Sequence, residues 1–410
     1  MRYVIIGNGI AGVSAAEAIR ELDGESDLIM IGDETEVPYS RPMISNVLEG
    51  SQAPERLPIR REHFYDQLNI RPMLGRRVEA IDVEARQIGL PNGDRVDFDR
   101  LLIASGADPR PIEADGLDLK GIFYMRTQAH VRRQLAALEN AREAVVLGGG
   151  LVGFKAAYAL LKRGLKVTML ITSKYPLAMQ VDETAGKMIL DRLLIQGLDV
   201  RVGVSVNAFE GNGRVKAAVT DDGSSIPCDL VIVGKGVLPA RDFIPREWIH
   251  VDLGVVVDEH LQSSATGIYA AGDVAESIDI ARRCRWVNAI WPEAASQGRI
   301  AGYNMAGRET GYGGSLSRNV MRVYDLDVMT LGYADPGDDP DLRVFRWGGA
   351  HLGWYRSLVF RDDRLVGAIL INRIEQGGVI RALIENRVPI DFDPWKLVSP
   401  GFNFSTLLPV

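Results

Sequence analysis

The stretch Tyr3-Val4-Ile5-Ile6-Gly7-Asn8-Gly9-Ile10-Ala11-Gly12 joins an apolar run to three glycines spaced as GxGxxG. The apolar run predicts a buried strand, and the segment from Val13 to about Leu22 predicts the helix that follows the glycines. A second strand, Asp27 to Ile31, ends at Gly32-Asp33. Strand, glycine turn, helix and strand in this order predict a βαβ unit.

The three glycines have separate mechanical roles in such a unit. Gly7 allows the tight turn, Gly9 lets backbone N–H groups approach a pyrophosphate, and Gly12 lets the helix pack closely on the strand. The unpaired N–H groups and the dipole of the helix N-terminus favour phosphates there. Asp33 is placed to accept hydrogen bonds from a ribose diol. A glycine-rich turn without a ligand is the alternative, but the order of strand, helix and acid favours a dinucleotide.

The same design recurs later in the chain. Ala144 to Leu147 predicts a strand, Gly148-Gly149-Gly150-Leu151-Val152-Gly153 the turn, Phe154 to Arg163 the helix and Lys166 to Leu170 the next strand. The segment Ile171-Thr172-Ser173-Lys174 then offers no carboxylate for a ribose 2′-hydroxyl. Because Lys174 only partly replaces the arginine usual in NADP enzymes, NAD is slightly favoured over NADP.

Two copies of one supersecondary unit predict an α/β fold with two Rossmann-like domains, each doubly wound and three-layered. Further short strands that end in turns are expected at Leu101 to Gly106, Val231 to Gly234 and Ile268 to Asp273. The crossover between the two domains is expected at Asp108-Pro109-Arg110-Pro111, and the return at Pro239.

A third, smaller α+β domain is expected after about Asn319. There the composition shifts to alternating strands, Ser357 to Phe360 and Leu365 to Ile371, followed by one late helix, Gly378 to Glu385. The predicted boundaries are 1–110 with 240–318 for a discontinuous first domain, 111–239 for the second, and 319–410 for a C-terminal interface domain.

Bulk composition argues against several classes of protein. The chain has 410 residues, of which 46% are hydrophobic and 25% charged, as in an ordinary globular protein. Its net charge of −7 argues against non-specific nucleic-acid binding. Because no apolar run reaches the length of a membrane helix and the N-terminus shows no signal-peptide pattern, we expect no membrane span and a cytoplasmic location.

Cysteine and histidine usage predicts no metal site. The two cysteines, Cys228 and Cys284, lie far apart and form neither a CxxC pair nor a metal-ligand spacing. The five histidines are scattered singly along the chain. We therefore expect neither a disulfide framework nor a structural metal.

The two glycine fingerprints, the Ala104-Ser105-Gly106 turn and the segment Tyr269-Ala270-Ala271-Gly272-Asp273 together resemble the FAD-dependent pyridine nucleotide oxidoreductases, over residues 1 to about 315. The resemblance implies that the first unit binds FAD and the second binds NAD(H) or NADP(H). It also implies that Asp273 hydrogen-bonds the ribityl or phosphate end of the flavin, and that Val78 contacts the adenine through its backbone. For Asp273, a turn-capping acid is the alternative.

The segment Pro38-Tyr39-Ser40-Arg41-Pro42-Met43-Ile44-Ser45-Asn46 resembles one branch of that family. The rubredoxin and ferredoxin reductases and the flavin domain of NADH-dependent nitrite reductases share its Tyr-x-Arg-Pro-x-x-Ser pattern. Disulfide-reducing branches carry cysteine here, whereas residues 39–50 contain none, which argues against a thiol relay. Many ferredoxin reductases have lysine where this chain has Asn46, and that departure leaves the flavin potential open.

Lys155 departs from the family pattern, and the segment 288–294 matches it. Lys155 stands where the family usually has a glutamate near the nicotinamide carboxamide, and it either donates to that carboxamide or pairs with a nearby acid. Asn288-Ala289-Ile290-Trp291-Pro292-Glu293-Ala294 resembles the start of a helix aimed at the flavin, where Pro292 suits the first turn. Trp291 and Trp286 are candidates to line the isoalloxazine, with aromatic core packing as the alternative.

The candidate site residues all hold cofactors, since the flavin itself carries the hydride and no catalytic side chain is expected. They are Gly7, Gly9, Ile10, Ala11, Gly12, Asp33, Glu34, Arg41, Pro42, Val78, Ala104, Ser105, Gly106, Gly272, Asp273, Trp291 and Pro292 for FAD, and Gly148, Gly150, Leu151, Val152, Gly153, Lys155 and Gly236 for the nicotinamide nucleotide.

The resemblance implies an FAD-dependent NAD(P)H:acceptor oxidoreductase with a ferredoxin- or rubredoxin-like iron–sulfur partner. That partner is either a separate protein or a subunit of a larger complex similar to nitrite reductase or aldehyde oxidoreductase. Whether the chain itself forms an oligomer is left open. A direct NADH oxidase and a redox-sensing flavoprotein without turnover are the alternatives. Arg282, Arg283 and Arg285 form a basic cluster that predicts the docking site. A solvated loop, or arginines paired internally, is the other interpretation of that cluster.

Overall fold

The computed structural model describes residues 1–61, 63–403 and 405. The chain divides into two compact units. Unit 1 consists of Met1–Met43, Pro54–Asp108 and Val237–Ser315. Unit 2 consists of Ile44–Ala53, Pro109–Gly236 and Leu316–Val410. The last residues of the predicted third domain, 404 and 406–410, lie outside the described residues.

The described residues form nine α-helices and 26 strands, with long runs of strands at β3 to β9, β12 to β21 and β22 to β26. The helices are α1 (Ile10–Leu22), α2 (Ile44–Glu49), α3 (Phe64–Gln67), α4 (Gln128–Leu138), α5 (Leu151–Lys162), α6 (Glu183–Ile195), α7 (Trp291–Met305), α8 (Gly377–Glu385) and α9 (Trp395–Val398). The strands are β1 (Arg2–Ile6), β2 (Asp27–Gly32), β3 (Ile70–Leu74), β4 (Ala80–Asp82), β5 (Gln87–Gly89), β6 (Arg95–Asp97), β7 (Arg100–Ile103), β8 (Ala107–Pro109), β9 (Ile122–Tyr124), β10 (Glu143–Leu147), β11 (Lys166–Ile171), β12 (Asp199–Val202), β13 (Val206–Gly211), β14 (Val215–Thr220), β15 (Ser225–Pro227), β16 (Leu230–Val233), β17 (Val237–Pro239), β18 (Val255–Val256), β19 (Ile268–Ala270), β20 (Ala275–Asp279), β21 (Cys284–Trp286), β22 (Arg318–Val323), β23 (Leu326–Gly332), β24 (Leu342–Gly349), β25 (Trp354–Arg361) and β26 (Arg364–Ile371).

Unit 1 is built on a five-stranded parallel sheet in the order β19-β7-β1-β2-β3. Strand β1 is central and apolar, and Val4 and Ile5 are fully buried, as expected when both faces of a parallel sheet are covered. Chain order runs one way from β1 through β2 to β3 and then returns to β7 on the other side of β1. Ligands of such sheets bind at the carboxyl ends of the strands, where the order reverses.

Helices α1 and α7 of unit 1 lie unusually close together because small residues line their contact. A Cβ added at Gly298 would lie 2.1 Å from the carbonyl oxygen of Ala11, and one added at Gly302 would lie 2.5 Å from that of Ala15. A second layer is the antiparallel meander β4-β5-β6, whose apolar residues join those of the sheet in one buried cluster. The starts of both helices are thereby fixed relative to the sheet.

Unit 2 repeats this plan with the parallel sheet β12-β11-β10-β16-β9. The antiparallel sheet β13-β14-β15 packs on it through a buried cluster that includes Phe209, Val215 and Ile226. The same unit contains the antiparallel sheet β22-β23-β26-β25-β24, against which α8 packs. This sheet is tied to the start of α6 by Asp182, whose carboxylate accepts from Tyr355 Oη at 2.5 Å and Arg346 Nε at 3.2 Å.

The predicted fold class is confirmed, since each unit contains a Rossmann-like sheet and the last part of the chain is mixed α+β. The bounds of single elements differ. Helices α1 and α5 begin directly after Gly9 and Gly150, the second glycine of each GxGxxG pattern. Each start is three residues earlier than expected, because that glycine is itself the N-cap. Among the described residues after Ser315 there are five strands and a second short helix, α9, beyond the one expected. The three-domain division with its boundaries stays a prediction.

Candidate functional site

The first glycine loop of unit 1 brings the end of β1 against the turn after β7. Gly7 has φ of 124° and donates its N–H to the Ile31 carbonyl at 2.7 Å. A Cβ at Gly7 would lie 2.0 Å from the Ala104 carbonyl oxygen, and one at Gly12 would lie 2.1 Å from the Gly7 carbonyl oxygen. Both positions therefore require glycine for steric reasons, as the sequence analysis expected for the turn and for the helix contact.

Gly9, by contrast, faces open space. It is the N-cap of α1 with φ of −88°, and no heavy atom of the described residues lies within 4 Å of where its Cβ would be. No described side chain caps the helix, so the first-turn amides of Ile10, Ala11 and Gly12 have no side-chain acceptor there. An uncapped N-terminus beside an open space is a site suited to a phosphate group.

Asp33 and Val78 lie near each other at the carboxyl ends of β2 and β3. The N–H of Arg76 donates to the Gly32 carbonyl at 2.8 Å, which holds the two segments side by side. The side chain of Asp33 is 56% exposed, with Arg77 Nη1 at 3.6 Å, whereas Val78 is buried. Asp33 is thus accessible to a ligand hydroxyl.

The Glu34 carboxylate makes internal contacts with two residues of the segment that selects the family branch. It accepts from Tyr39 Oη at 2.7 Å and pairs with Arg41 Nη2 at 2.7 Å. The Arg41 guanidinium also lies over the Tyr39 ring, 5.2 Å from its centroid. Pro42 follows on the surface. The role of Glu34 in these contacts is to fix Arg41 in place.

The turn Ala104-Ser105-Gly106 is held to a later part of unit 1. Ser105 Oγ donates to the Ala240 carbonyl at 2.8 Å, and the Ala240 N–H donates to the Gly106 carbonyl at 3.0 Å. Gly106 adopts φ of 71°. These bonds explain the serine and the glycine without a ligand, so their predicted contact with FAD stays a prediction.

Gly272 and Asp273 follow β19 and lie beside the start of α1. A Cβ at Gly272 would be 3.2 Å from the Ala11 Cβ, and its N–H donates to Gln297 Oε1 at 2.8 Å. Asp273 is half-buried, and α7 passes the same turn through Ala294. Unit 1 therefore brings together the glycine loop, the Ala104 turn and the Asp273 turn at one edge of its sheet.

Helix α7 begins at Trp291 with Pro292 in its first turn, as predicted from the sequence. Its N-cap, Ile290, has no side chain able to accept a hydrogen bond, and no described side chain caps the helix. Buried Glu293 accepts a short hydrogen bond from Tyr312 Oη. Trp291 is half-buried, and Trp286 is 36% exposed in β21, so aromatic core packing does not account for either ring in full.

The three arginines of the predicted docking cluster are not equivalent. Arg282 Nη1 lies 2.9 Å from Oδ2 of the fully buried Asp279, so the alternative of internal pairing applies to it. Arg285 is exposed, although its Nη1 donates to the Val257 carbonyl at 2.7 Å. Arg283 is also exposed. A basic surface at this hairpin therefore consists of Arg283 and Arg285.

The glycine loop of unit 2 has the same construction as that of unit 1. Gly148 has φ of 103°, and its Cβ would lie 2.4 Å from the Gly234 carbonyl oxygen. A Cβ at Gly153 would lie 1.9 Å from the Gly148 carbonyl oxygen. Gly150 is the N-cap of α5 and faces open space, with no capping side chain among the described residues. Leu151 and Val152 supply the first amides of the helix.

Two lysines lie close in sequence to the elements that form the unit 2 loop, one in α5 and one directly after β16. Lys155 in α5 is exposed, yet the surrounding protein atoms lower the pKa of its ammonium by desolvation. Lys235 follows β16, and burial lowers its pKa as well. Gly236 then adopts φ of 92°, and its carbonyl accepts the Arg110 N–H at 3.0 Å.

Sequence reasoning missed three residues of these sites. Asn8 accepts from Tyr65 Oη at 2.9 Å and so braces the first loop, and Gln297 binds the Gly272 amide. Lys235 stands between Gly234 and Gly236, and this Gly-Lys-Gly sequence is the signal by which it could have been found. The other two depend on partners distant in sequence and give no local pattern.

Neither a thiol relay nor a metal cluster is found in the described part of the chain. Cys228 is buried, and desolvation, with the charges of Asp229 and Glu143, raises its pKa to about 12. Cys284 is exposed and free. Residues 1–61, 63–403 and 405 contain no group of three potential metal ligands. No helix among them is long and apolar enough to cross a membrane.

Two family models match this chain. The model described as pyridine nucleotide-disulphide oxidoreductase matches residues 1–298, and the rubredoxin NAD+ reductase C-terminal domain matches residues 318–388. The resemblance drawn from the sequence, including its branch, is thereby confirmed.

Individual relatives agree with these matches. The rubredoxin-NAD(+) reductase of Pseudomonas putida is 30% identical over 94% of this chain and 99% of its own length. The NAD(P)H nitrite reductase of Bacillus subtilis (strain 168) is 28% identical over 95% of this chain and 48% of its own length, so the chain spans about half of that relative. A crystal structure of a covalent putidaredoxin reductase-putidaredoxin complex matches with a TM-score of 0.90 and 27% identity, over 97% of this chain and 96% of that chain.

Proposed function

Because this chain belongs to the pyridine nucleotide-disulphide oxidoreductase family, we propose that it moves electrons between a nicotinamide nucleotide and an iron–sulfur partner through bound FAD. It is an FAD-dependent oxidoreductase that binds NAD(H). The observation that carries the proposal is the pair of glycine loops, one in each unit, each leading to an uncapped helix N-terminus beside open space.

The residues of unit 1 fit FAD. The open space at Gly9 and the first-turn amides of α1 suit the pyrophosphate, and the accessible carboxylate of Asp33 suits the adenosine ribose. Asp273 lies in the turn beside Ala11, where it can accept a hydrogen bond from the ribityl chain. The start of α7 at Trp291 is a second helix N-terminus for the flavin ring, although Glu293 in its first turn offsets part of its positive end.

The residues of unit 2 fit the nicotinamide nucleotide. Gly150 and the amides of Leu151 and Val152 suit its pyrophosphate, by the same geometry as in unit 1. Lys235, directly after β16, adds positive charge at the carboxyl edge of the sheet, and burial lowers its pKa. Lys155 lies in the second turn of α5 and is exposed. Desolvated cations interact more strongly with an anionic ligand than fully hydrated ones do.

Bound FAD supplies the exchange between a hydride and single electrons, which no side chain of this protein can supply. The protein contributes binding, orientation and a local field. The amides at the starts of α1 and α7 favour negative charge on the cofactor. Buried Cys228, whose pKa is raised, is unsuited to a thiol relay, and the segment 39–50 carries no cysteine. Electrons are therefore expected to leave from the flavin directly.

The partner is proposed to be a small acidic iron–sulfur protein, or an iron–sulfur subunit of a larger complex. The names of the relatives support this, since one is a rubredoxin-NAD(+) reductase and a matching structure contains putidaredoxin. Exposed Arg283 and Arg285 are the proposed docking residues. We place the protein in the cytoplasm, where reducing conditions keep thiols such as the exposed Cys284 free.

The test is an anaerobic titration of the purified protein. We expect one FAD per chain, reduction of that FAD by NADH, and multiple turnovers when ferredoxin or rubredoxin is added as acceptor. If each chain binds only one dinucleotide in total, the proposal is wrong. Stoichiometric peroxide formation in air, without turnover on either iron–sulfur protein, would favour a direct oxidase.

A further inference from the structure

The backbone around the two glycine loops allows unit 1 and unit 2 to be aligned residue by residue. In both units the first glycine of the loop donates its N–H to a carbonyl of the second strand, at 2.7 Å to Ile31 and at 2.8 Å to Leu170. Two residues after these carbonyls, unit 1 has Asp33 and unit 2 has Thr172. Thr172 therefore occupies the position from which an acid binds the hydroxyls of a ribose.

The residue type at this position affects which nucleotide can bind. A carboxylate there accepts from the 2′-hydroxyl of NADH and repels the 2′-phosphate of NADPH. Unit 2 has Ile171, Thr172, Ser173 and Lys174 in sequence, and none of them carries a carboxylate. The element that rejects NADPH is thus missing from the segment after β11.

The next acids along the chain already have partners. Asp182 is buried at the N-cap of α6, where it accepts from the Ala185 N–H at 3.1 Å and binds Tyr355. Glu183 pairs with Lys187 at 2.5 Å. Neither acid follows β11 directly, and the described contacts hold Asp182 inside unit 2. Asp182 therefore supplies no substitute for the missing carboxylate. Glu183 is exposed, and its hydrogen bond with Lys187 together with the charges of Lys187 and Lys174 lowers its pKa, so cations already compensate its charge.

The segment after β11 also offers groups that attract a phosphate. Thr172 and Lys174 are exposed, whereas Ser173 is anchored on both sides of its backbone. Its hydroxyl donates to the Tyr175 carbonyl at 2.7 Å, and its own carbonyl accepts the Gly203 N–H at 3.2 Å. The anchored segment thus presents one hydroxyl and one ammonium at the end of β11.

We propose that the nucleotide site of unit 2 takes NADPH as well as NADH, with the 2′-phosphate of NADPH against Thr172 and Lys174. This inference rests on the proposed function, in which unit 2 binds the nicotinamide nucleotide. Hydride transfer itself is the same for both nucleotides, because they differ only at the adenosine ribose. The difference is therefore expected in binding and not in the reduction step.

The experiment compares both nucleotides on the FAD-loaded protein. We expect kcat/KM for flavin reduction by NADPH to lie within about tenfold of the value for NADH. Calorimetric titration with NADP+ and NAD+ measures binding independently of turnover. A kcat/KM for NADPH more than tenfold below that for NADH overturns the inference and leaves the proposed function intact. Failure to bind or use either nucleotide overturns the proposed function itself.

Two variants test the residues. Thr172→Glu is expected to raise the Kd for NADP+ at least about tenfold and to leave that for NAD+ within about twofold. Lys174→Gln is expected to weaken NADP+ alone, by about two- to fivefold, as for an exposed charge pair. Lys166→Gln is the matched control, because Lys166 lies at the other end of β11 with its side chain 75% exposed. Equal effects of Lys174→Gln and Lys166→Gln on NADP+ would contradict the assignment.

Discussion

Replacing Gly150 by alanine is expected to separate the two dinucleotide sites. Gly150 has φ of −79° and ψ of −177°, a conformation open to any residue. Apart from its chain neighbours and its own helix, no heavy atom of the described residues lies within 4 Å of the added Cβ. The folded chain should therefore tolerate the methyl group. Gly153→Ala would not be informative, because its Cβ would lie 1.9 Å from a carbonyl oxygen and would disturb the helix itself.

The methyl group of Gly150→Ala would occupy the space proposed for the pyrophosphate. A hydrogen bond to a charged group contributes about 1.5–3 kcal/mol. Loss of one amide–phosphate bond therefore predicts a Kd for NAD+ that rises by roughly 10- to 100-fold. FAD should stay bound at one per chain, since its proposed site belongs to unit 1. Gly9→Ala is the mirror experiment, and it should lose FAD while the fold is retained.

The assay is calorimetric titration with NAD+, together with the FAD-to-protein absorbance ratio and the melting temperature. Gly24→Ala in unit 1 and Gly378→Ala in unit 2 are the matched controls, because both glycines also face open space. Neither control should change either affinity. An NAD+ affinity of Gly150→Ala within about twofold of the unaltered protein, or a loss of FAD from that variant, would refute the assignment of the two loops.

Three further predictions concern the thiols, the FAD site and the docking surface. Cys228→Ala combined with Cys284→Ser should leave the rate of flavin reduction by NADH unchanged in stopped-flow traces, because no thiol takes part. Asp273→Ala should weaken FAD binding by about 1.5–3 kcal/mol, seen as a lower FAD content after dilution. Arg283→Glu with Arg285→Glu should slow electron exchange with an acidic ferredoxin roughly tenfold or more at low salt, with flavin reduction unaltered.

Controls make these three results specific. A slower flavin reduction in the cysteine double variant, with FAD fully bound, would mean that a thiol relay exists after all. Asp273→Asn should retain more FAD than Asp273→Ala if a hydrogen bond is what is lost. Exposed Arg61 and Arg71, changed together to glutamate, give the same charge difference elsewhere in unit 1. Equal slowing by that pair would point to net charge and not to a docking site at Arg283 and Arg285.

The fold class and both glycine loops could be predicted because their signals are local. A strand with apolar residues, glycines at fixed spacing and a helix determine each loop within a short segment of chain. The steric reasons given for Gly7 and Gly12 are the ones found, with each Cβ close to 2 Å from a carbonyl oxygen. Such contacts are made within one βαβ unit, so the sequence pattern alone reveals them.

Contacts between distant segments could not be predicted. Ser105 reaches Ala240 across 135 residues, and Gln297 reaches Gly272 across 25. The sequence of either partner contains nothing that names the other. The sequence also does not show which side chains are exposed. The predicted cluster therefore includes Arg282, which pairs with buried Asp279, together with two arginines that are exposed. The start of α1 was placed too late because Gly9 caps the helix without a polar side chain.

The two units share one plan but differ in how many helix ends they leave open, and this difference supports a resident cofactor in one and an exchanging nucleotide in the other. Strands β19 and β9 occupy corresponding edges of their sheets; α4 comes directly after β9, and α7 comes after β19, β20 and β21. The start of α4 is closed, because Thr127 accepts the His130 N–H at 3.2 Å. The start of α7 at Ile290 has no such cap among the described side chains. Unit 1 thus offers two uncapped helix ends, at α1 and α7, to one ligand, while the matching pair in unit 2 leaves only α5 uncapped. Each such end stabilises nearby negative charge by about 0.3–1 kcal/mol, and Glu293 in the first turn of α7 offsets part of that effect. The ligand of unit 1 should still be held more tightly. That asymmetry supports the proposal that unit 1 holds FAD and that unit 2 takes a dissociable nicotinamide nucleotide.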